Sequence, residues 1–441
     1  MLRSYFLKFS NNLVINRFVR LFSVDLLARA SGFILLPIYL RLMTQGEYGL
    51  YGYLLSIIGV FSLVLNFGLY IAQSRLYHDC DSDQRKTLIS TINILLFILF
   101  TLTIAITYFT RIDYALMSFL FKNPFDFGSY RGTLFLAAVV TVYSFMLNNF
   151  LLISERIRLT QLYNISRLVL VNAVVLYLLW PRNGDSVMIR LKYSYIIESL
   201  VVLSIGSVYF SNFVVRFSKT YALAALKLGL PVMFSAFIGL FINFADRFFI
   251  EKWGTFSDLG VYNLALTVSS ILTTVFSSLQ NVWLPLFLKE KMLDTNYRRT
   301  KKLAFQITAI FIILSFVLFL VLKMALIFRV VDAHYSKALV VLPILSATQI
   351  VVALTGITSN YLVYFNMTYV VAIVGTGLGV LSVGMNLLLV PYFGMYGAAS
   401  AALITNIFYL LIYYGIVHAK IKSTLRSSEM ALALEPSPGT L

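Results

Sequence analysis

The feature that most constrains this chain is a series of twelve apolar runs. Each is about the length that carries a helix across a hydrocarbon slab of roughly 30 Å. They fall near 19–41, 49–73, 87–110, 132–153, 162–181, 191–211, 226–250, 259–288, 304–328, 338–365, 369–391 and 396–418. Backbone polar groups in lipid must be satisfied within their own segment, so runs of this kind are expected to be helices. The run at 259–288 is long enough to tilt, or to end early at Pro285. Composition fits a lipid solvent: 60% of the 441 residues are hydrophobic and 12% are charged, against roughly 25% charged in soluble domains. A soluble core stops growing near about 250–300 residues and could not absorb this apolar surface. The chain is therefore expected to be an all-α polytopic membrane protein.

The net charge of +17 would suggest nucleic acid in a soluble protein. Here Lys and Arg sit mainly between the apolar runs, so membrane lipids with anionic headgroups are the expected partner and nucleic acid is not. Their asymmetry sets the orientation. With the N-terminus inside, inward segments hold about 21 basic residues and outward ones about 10. The segment 289–302 is the strongest inward signal, with Lys289, Lys291, Arg298, Arg299, Lys301 and Lys302. An even number of spans puts both termini in the cytoplasm. No removed signal peptide is expected. The longest loop, near 111–131, is too short for a domain, and the tail after Lys420 is expected to be disordered.

A short repeat organises the chain. Glu47-Tyr48-Gly49-Leu50-Tyr51 follows the first run, and Asp258-Leu259-Gly260-Val261-Tyr262 follows the seventh. Both read acid-x-Gly-x-Tyr at an outward turn, six runs apart. Six is even, so the halves share one topology, which implies two six-helix lobes related by an axis along the membrane normal. The expected organisation is a lobe over 1–211, a cytoplasmic linker over 212–227, a second lobe over 228–418 and a cytoplasmic tail over 419–441.

Charges at membrane depth are costly and by default mark a pathway. Asp25 and Arg29 share one face of the first run, and Asp246 and Arg247 lie in the seventh with Asn243 nearby. Each set is either part of that pathway, binding cargo or coupling an ion, or a neutral pair that locks helices together. Arg167 has no acidic residue within four positions of its own helix. It is therefore an anion-binding candidate, unless it snorkels to the interface. Glu198 is a pairing or ion-coupling candidate, and Lys323 is expected to snorkel outward. A polar stripe runs through Ser270, Thr273, Ser277, Gln280 and Asn281, with a second through Gln349, Thr355, Ser359 and Asn360. These faces either line a watery cavity, with Gln280 and Asn281 touching cargo, or bond helix to helix.

Leu36-Pro37 through Gly49-Leu50-Tyr51, Gly229-Leu230-Pro231, Asp246-Arg247 with the second repeat copy, and Pro391-Tyr392-Phe393-Gly394 leading to Gly397-Ala398-Ala399 carry a resemblance that spans nearly the whole chain. It is to the multidrug/oligosaccharidyl-lipid/polysaccharide exporter superfamily, and within it to the Wzx-type flippases of O-antigen and capsule synthesis. That resemblance implies a V-shaped pair of lobes working by alternating access in the bacterial inner membrane. The implied cargo is a polyprenyl-pyrophosphate-linked oligosaccharide, and polysaccharide polymerase and chain-length machinery are implied partners. Arg29, Arg167, Arg247 and Lys323 would then form a ladder of cations for the pyrophosphate.

Two other functions compete. A cation-coupled drug exporter on the same scaffold would want an acidic, aromatic cavity, whereas these spans carry at least as many basic residues as acidic ones. A membrane polymerase or glycosyltransferase would need catalytic residues on a sizeable outward loop, and the best available, with Asp113, Asp126 and Arg131, is short. The sequence has no Gly-x-x-x-x-Gly-Lys-Ser/Thr loop, a single cysteine (Cys80) and three scattered histidines. No catalytic residue, metal site or cofactor is expected.

Overall fold

The computed structural model describes residues 32–181, 184–211, 213–290 and 292–434, without the side chains of 208–210, 234–243, 368–369, 372 and 425–434. Among the described residues every regular element is helical. In order these are α1 (Gly32–Leu42), α2 (Gln45–Leu65), α3 (Leu69–Tyr77), α4 (Ser82–Thr110), α5 (Ile112–Leu120), α6 (Phe127–Ile153), α7 (Ile157–Leu179), α8 (Ser186–Phe210), α9 (Lys219–Trp253), α10 (Phe256–Lys289), α11 (Leu293–Ile327), a 3-10 turn (Ala333–Lys337), α12 (Ala338–Tyr364) and α13 (Thr368–Leu434). Eight described helices are long and apolar enough to cross a membrane.

The second apolar run is not one helix. Asn66 ends α2, Phe67 and Gly68 take left-handed φ of 53° and 66°, and α3 restarts at Leu69. Gly68 is needed for contact as well as for φ, because a Cβ there would lie 2.1 Å from the Gly229 carbonyl oxygen on α9. The last two runs are merged in α13 and separated by a break at Gly394, with φ 54° and ψ −132°. Pro285 does not end α10, which continues to Lys289. There Phe287 packs edge-on against Tyr361, 4.8 Å between centroids, so packing holds the last turn. The 111–131 loop contains α5, and its next residues are pinned to α9: Glu251 Oε1 accepts the backbone N–H groups of Lys122 and Asn123 at 2.7 and 2.8 Å. The region expected to be a disordered tail stays helical to Leu434.

The chain forms two compact units. One is Met1–Leu264 with Phe328–Ser336, and the other is Ala265–Ile327 with Lys337–Leu441. The first therefore includes α9 and the opening turns of α10, whereas the expected division places 219–227 in the linker and the remainder in the second lobe. Its core joins Leu69 of α3, Leu88 and Ile92 of α4, Met146 of α6 and Ala225 of α9. In the second unit, Leu272 and Phe276 of α10 meet Ile307 and Phe311 of α11 and Ile357 of α12. The opposite face of α11 exposes Phe305, Ile312, Ile313 and Phe316, which suits contact with lipid rather than water.

The repeat has a structural explanation. Thr44 precedes the first copy and Thr255 the second, and each opens a helix with reciprocal capping. Glu47 N–H donates to Thr44 Oγ1 while Glu47 Oε2 accepts from Thr44 N–H. Asp258 N–H donates to Thr255 Oγ1 while Asp258 Oδ2 accepts from Thr255 N–H. The acid of the repeat is thus the third helical residue of a capping box. The glycines press the two copies together. A Cβ on Gly49 would lie 1.8 Å from the Phe256 carbonyl oxygen, and one on Gly260 would lie 2.2 Å from that of Gln45. Asn263 closes the seam, since a Cβ on Gly52 would lie 2.2 Å from its Nδ2.

Candidate functional site

The polar residues of the first unit form three stations. At the first, Arg167 of α7 and Glu198 of α8 make an ion pair with Nε–Oε1 3.0 Å. Ser144 of α6 donates to the same oxygen at 2.6 Å. Glu198 is 4% exposed, whereas the Arg167 side chain is 48% exposed. Arg167 thus has its acidic partner, but on another helix, where scanning four residues along its own could not find it. Nearly half of the Arg167 side chain stays exposed, so an anion could compete with Glu198 for its guanidinium.

The second station was missed by the sequence reading. Arg190 lies in the first turns of α8, just before the apolar run begins. Its guanidinium carbon sits 3.6 Å from the ring centroid of Tyr39 and 3.9 Å from that of Tyr51, the tyrosine of the first repeat copy. Tyr39 is held in turn by donating its hydroxyl hydrogen to Asn172 Oδ1 at 2.8 Å. Stacking holds the guanidinium plane while leaving in-plane N–H groups able to bind a ligand. No carboxylate pairs with Arg190 among the described residues. It shares a face of α8 with Ser194 and Glu198 at four-residue spacing.

The third station is Asp246 and Arg247 on α9. They do not form an ion pair. The carboxylate takes the Arg247 backbone N–H at 2.7 Å and the Tyr262 hydroxyl at 2.5 Å, so the second repeat copy also commits its tyrosine here. Arg247 makes no ion pair among the described residues, and its Nε is buried without a partner. Asp25 and Arg29 lie outside the described residues, as does the Asn243 side chain. Lys323 is exposed on α11.

In the second unit the two polar stripes face one another. Thr273 donates to Gln349 Oε1 at 2.5 Å, and Gln280 donates to Asn360 Oδ1 at 2.6 Å. Ser277, Thr355 and Ser359 bond back to carbonyls of their own helices. Helix-to-helix bonding therefore accounts for much of the stripe. Asn281, next to the seam, is exposed. Among the described residues no group of three or more His, Cys, Asp or Glu could hold a metal ion.

Comparison with known proteins supplies the remaining evidence. The family described as "Polysaccharide biosynthesis protein" matches residues 15–291. Among solved structures, the lipid II flippase MurJ in an inward closed conformation aligns with a TM-score of 0.68 at 15% identity, covering 96% of this chain and 93% of that one. An inward-facing multidrug resistance MATE family transporter of the MOP superfamily aligns at 0.65 and 15% identity, covering 91% and 99%. An outward-facing form of such a transporter aligns at 0.56 and 14%, covering 93% and 96%. At these identities the likeness is one of fold, which is that of the MATE and MurJ transporters. No curated protein matches the chain.

Proposed function

The chain belongs to the polysaccharide biosynthesis protein family, and from that premise we propose that it is a Wzx-type flippase. Its cargo is an oligosaccharide linked to polyprenyl pyrophosphate, such as an O-antigen, capsule or exopolysaccharide repeat unit. It moves this cargo from the cytoplasmic to the outer leaflet of the bacterial inner membrane, with both termini cytoplasmic. The observation that carries the reading is Arg247: a guanidinium within the apolar run 226–250, with no carboxylate partner among the described residues and a buried Nε left unbonded. A cation at that depth that no described carboxylate pairs is open to an anion of the cargo. Arg190 offers a second such cation, and a lipid pyrophosphate has the charge to meet both. A carrier of cationic drugs would need the opposite sign.

Arg167 supplies the coupling. Cargo pyrophosphate competes with Glu198 for its guanidinium. The lobes over 1–211 and 228–418 then rock in alternating access, with the Gly49–Gly260 seam parting at the outer end. Asp25, Arg29 and Asp246 complete the charged path. Polysaccharide polymerase and chain-length machinery take the product.

The test is a proteoliposome assay with a fluorescent lipid-linked oligosaccharide. The purified protein should move it between leaflets with its mass unchanged. No movement, or a change of mass, would overturn the proposal, the latter in favour of an enzyme.

A further inference from the structure

The seam between α10 and α12 carries a set of buried polar atoms that the fold does not satisfy. Gln280 Nε2 donates to Asn360 Oδ1 at 2.6 Å. That single bond leaves Gln280 Oε1 and Asn360 Nδ2 buried without partners, and the indole Nε1 of Trp283 is in the same condition. Gln280 and Trp283 are three residues apart, so they share one face of α10. Folded chains rarely leave such groups unbonded, because each then carries its full desolvation cost. Here three occur together, two on one turn of α10 and one on α12, as two donors and one acceptor.

The surroundings are aromatic. Trp283 packs with Phe287 at 6.1 Å between centroids, and Phe287 packs on Tyr361. Asn360 is 3% exposed, whereas Gln280 and Trp283 are only half-buried and the neighbouring Asn281 is exposed. The three atoms themselves are buried beside an open edge, so a ligand meets them as the seam parts.

We infer that Gln280, Trp283 and Asn360 form a carbohydrate subsite that receives a sugar ring of the cargo. This rests on the flippase reading above and adds to it the part of the cargo that is recognised. A sugar hydroxyl both donates and accepts, so it can give a hydrogen to Gln280 Oε1 and accept from Asn360 Nδ2 or Trp283 Nε1. The C–H face of a pyranose lies well against indole and phenyl faces. An anion would instead leave the Gln280 acceptor facing negative charge, so pyrophosphate does not fit here. In the proposed orientation this end of α10 and α12 is cytoplasmic, beside the basic segment 289–302. The glycan thus docks where loading takes place.

The experiment compares binding of two lipids to the full-length protein in detergent: polyprenyl pyrophosphate bearing the host's repeat unit, and polyprenyl pyrophosphate without sugar. Trp283→Phe removes the indole donor while keeping an aromatic ring, and the double change Gln280→Met with Asn360→Leu removes the unsatisfied amide groups together with their one bond, so the melting temperature of the double variant should hold or rise. Both should weaken binding of the glycan-bearing lipid at least tenfold and leave the bare lipid unchanged. Variants that bind both lipids as the parent does, or lose both equally, overturn the subsite alone. A drop in melting temperature with no selective loss also overturns it, because the groups would then be structural. A parent protein that binds neither lipid overturns the flippase reading together with the subsite.

Discussion

Gly49→Ala tests whether the seam between the two repeat copies governs opening. The new Cβ would lie 1.8 Å from Phe256 O, 2.6 Å from Gly260 N and 2.9 Å from Phe256 C. Real Cβ contacts essentially never fall below 3.0 Å, so the hairpins must part by about 1.2 Å (3.0 − 1.8). All three atoms are backbone, so no rotamer change relieves the clash. Overpacking of this kind costs about 1–3 kcal/mol, more than the 0.5–1 kcal/mol or so that alanine gains over glycine within a helix. The closed seam therefore loses, and the open population rises by about 5–150-fold at roughly 1.4 kcal/mol per tenfold. Ser257→Cys, beside the seam, reports this as the rate of labelling by a membrane-impermeant maleimide in intact cells. Gly59→Ala is the control, because the same substitution on the same helix meets nothing within 4 Å. Gly49→Ala that labels no faster than Gly59→Ala would refute the reasoning.

Arg247→Ala is expected to abolish most flipping without lowering protein level, since its guanidinium makes no ion pair among the described residues; measurement of surface glycan against immunoblotted protein checks this. Arg167→Ala should lower the melting temperature by stranding Glu198. Loss of one partner of a fully buried pair costs about 3–5 kcal/mol, and the half-exposed Arg167 side chain reduces that figure. The double change Arg167→Ala with Glu198→Leu should restore stability but not transport. A reporter fused after Asn296 should be cytoplasmic and one near Asp126 external; the reverse result would invert the orientation. Flipping in proteoliposomes should respond to a potassium–valinomycin potential, because one charge crossing the membrane is worth about 2.3 kcal/mol per 100 mV. A rate indifferent to potential yet raised by a pH gradient would leave proton coupling through Asp25, Glu198 or Asp246 as the driving force.

What the chain reveals by itself is what local physics decides. Lipid forces each segment to satisfy its own backbone, so runs of some twenty apolar residues declare themselves as helices without any knowledge of neighbours. The capping boxes at Thr44 and Thr255 are equally local, each closed over three residues, and that is why the acid of the repeat was legible. The three-to-four spacing of the polar stripe likewise placed Gln280 and its neighbours on one face. Tertiary structure alone decided what those faces meet. Helical periodicity fixes a direction around an axis but not which helix stands opposite. Arg167 therefore looked unpaired while Glu198 waited on α8, and Gln280 found Asn360 eighty residues away. Arg190 and Glu251 fell just outside the apolar runs and carried no signal until Tyr39 and Tyr51 closed around one and the Lys122 and Asn123 amides onto the other. The glycines of the repeat needed the fold most. An absent side chain shows its purpose only when another backbone occupies the space, as Phe256 and Gly260 do at Gly49 and Gln45 does at Gly260.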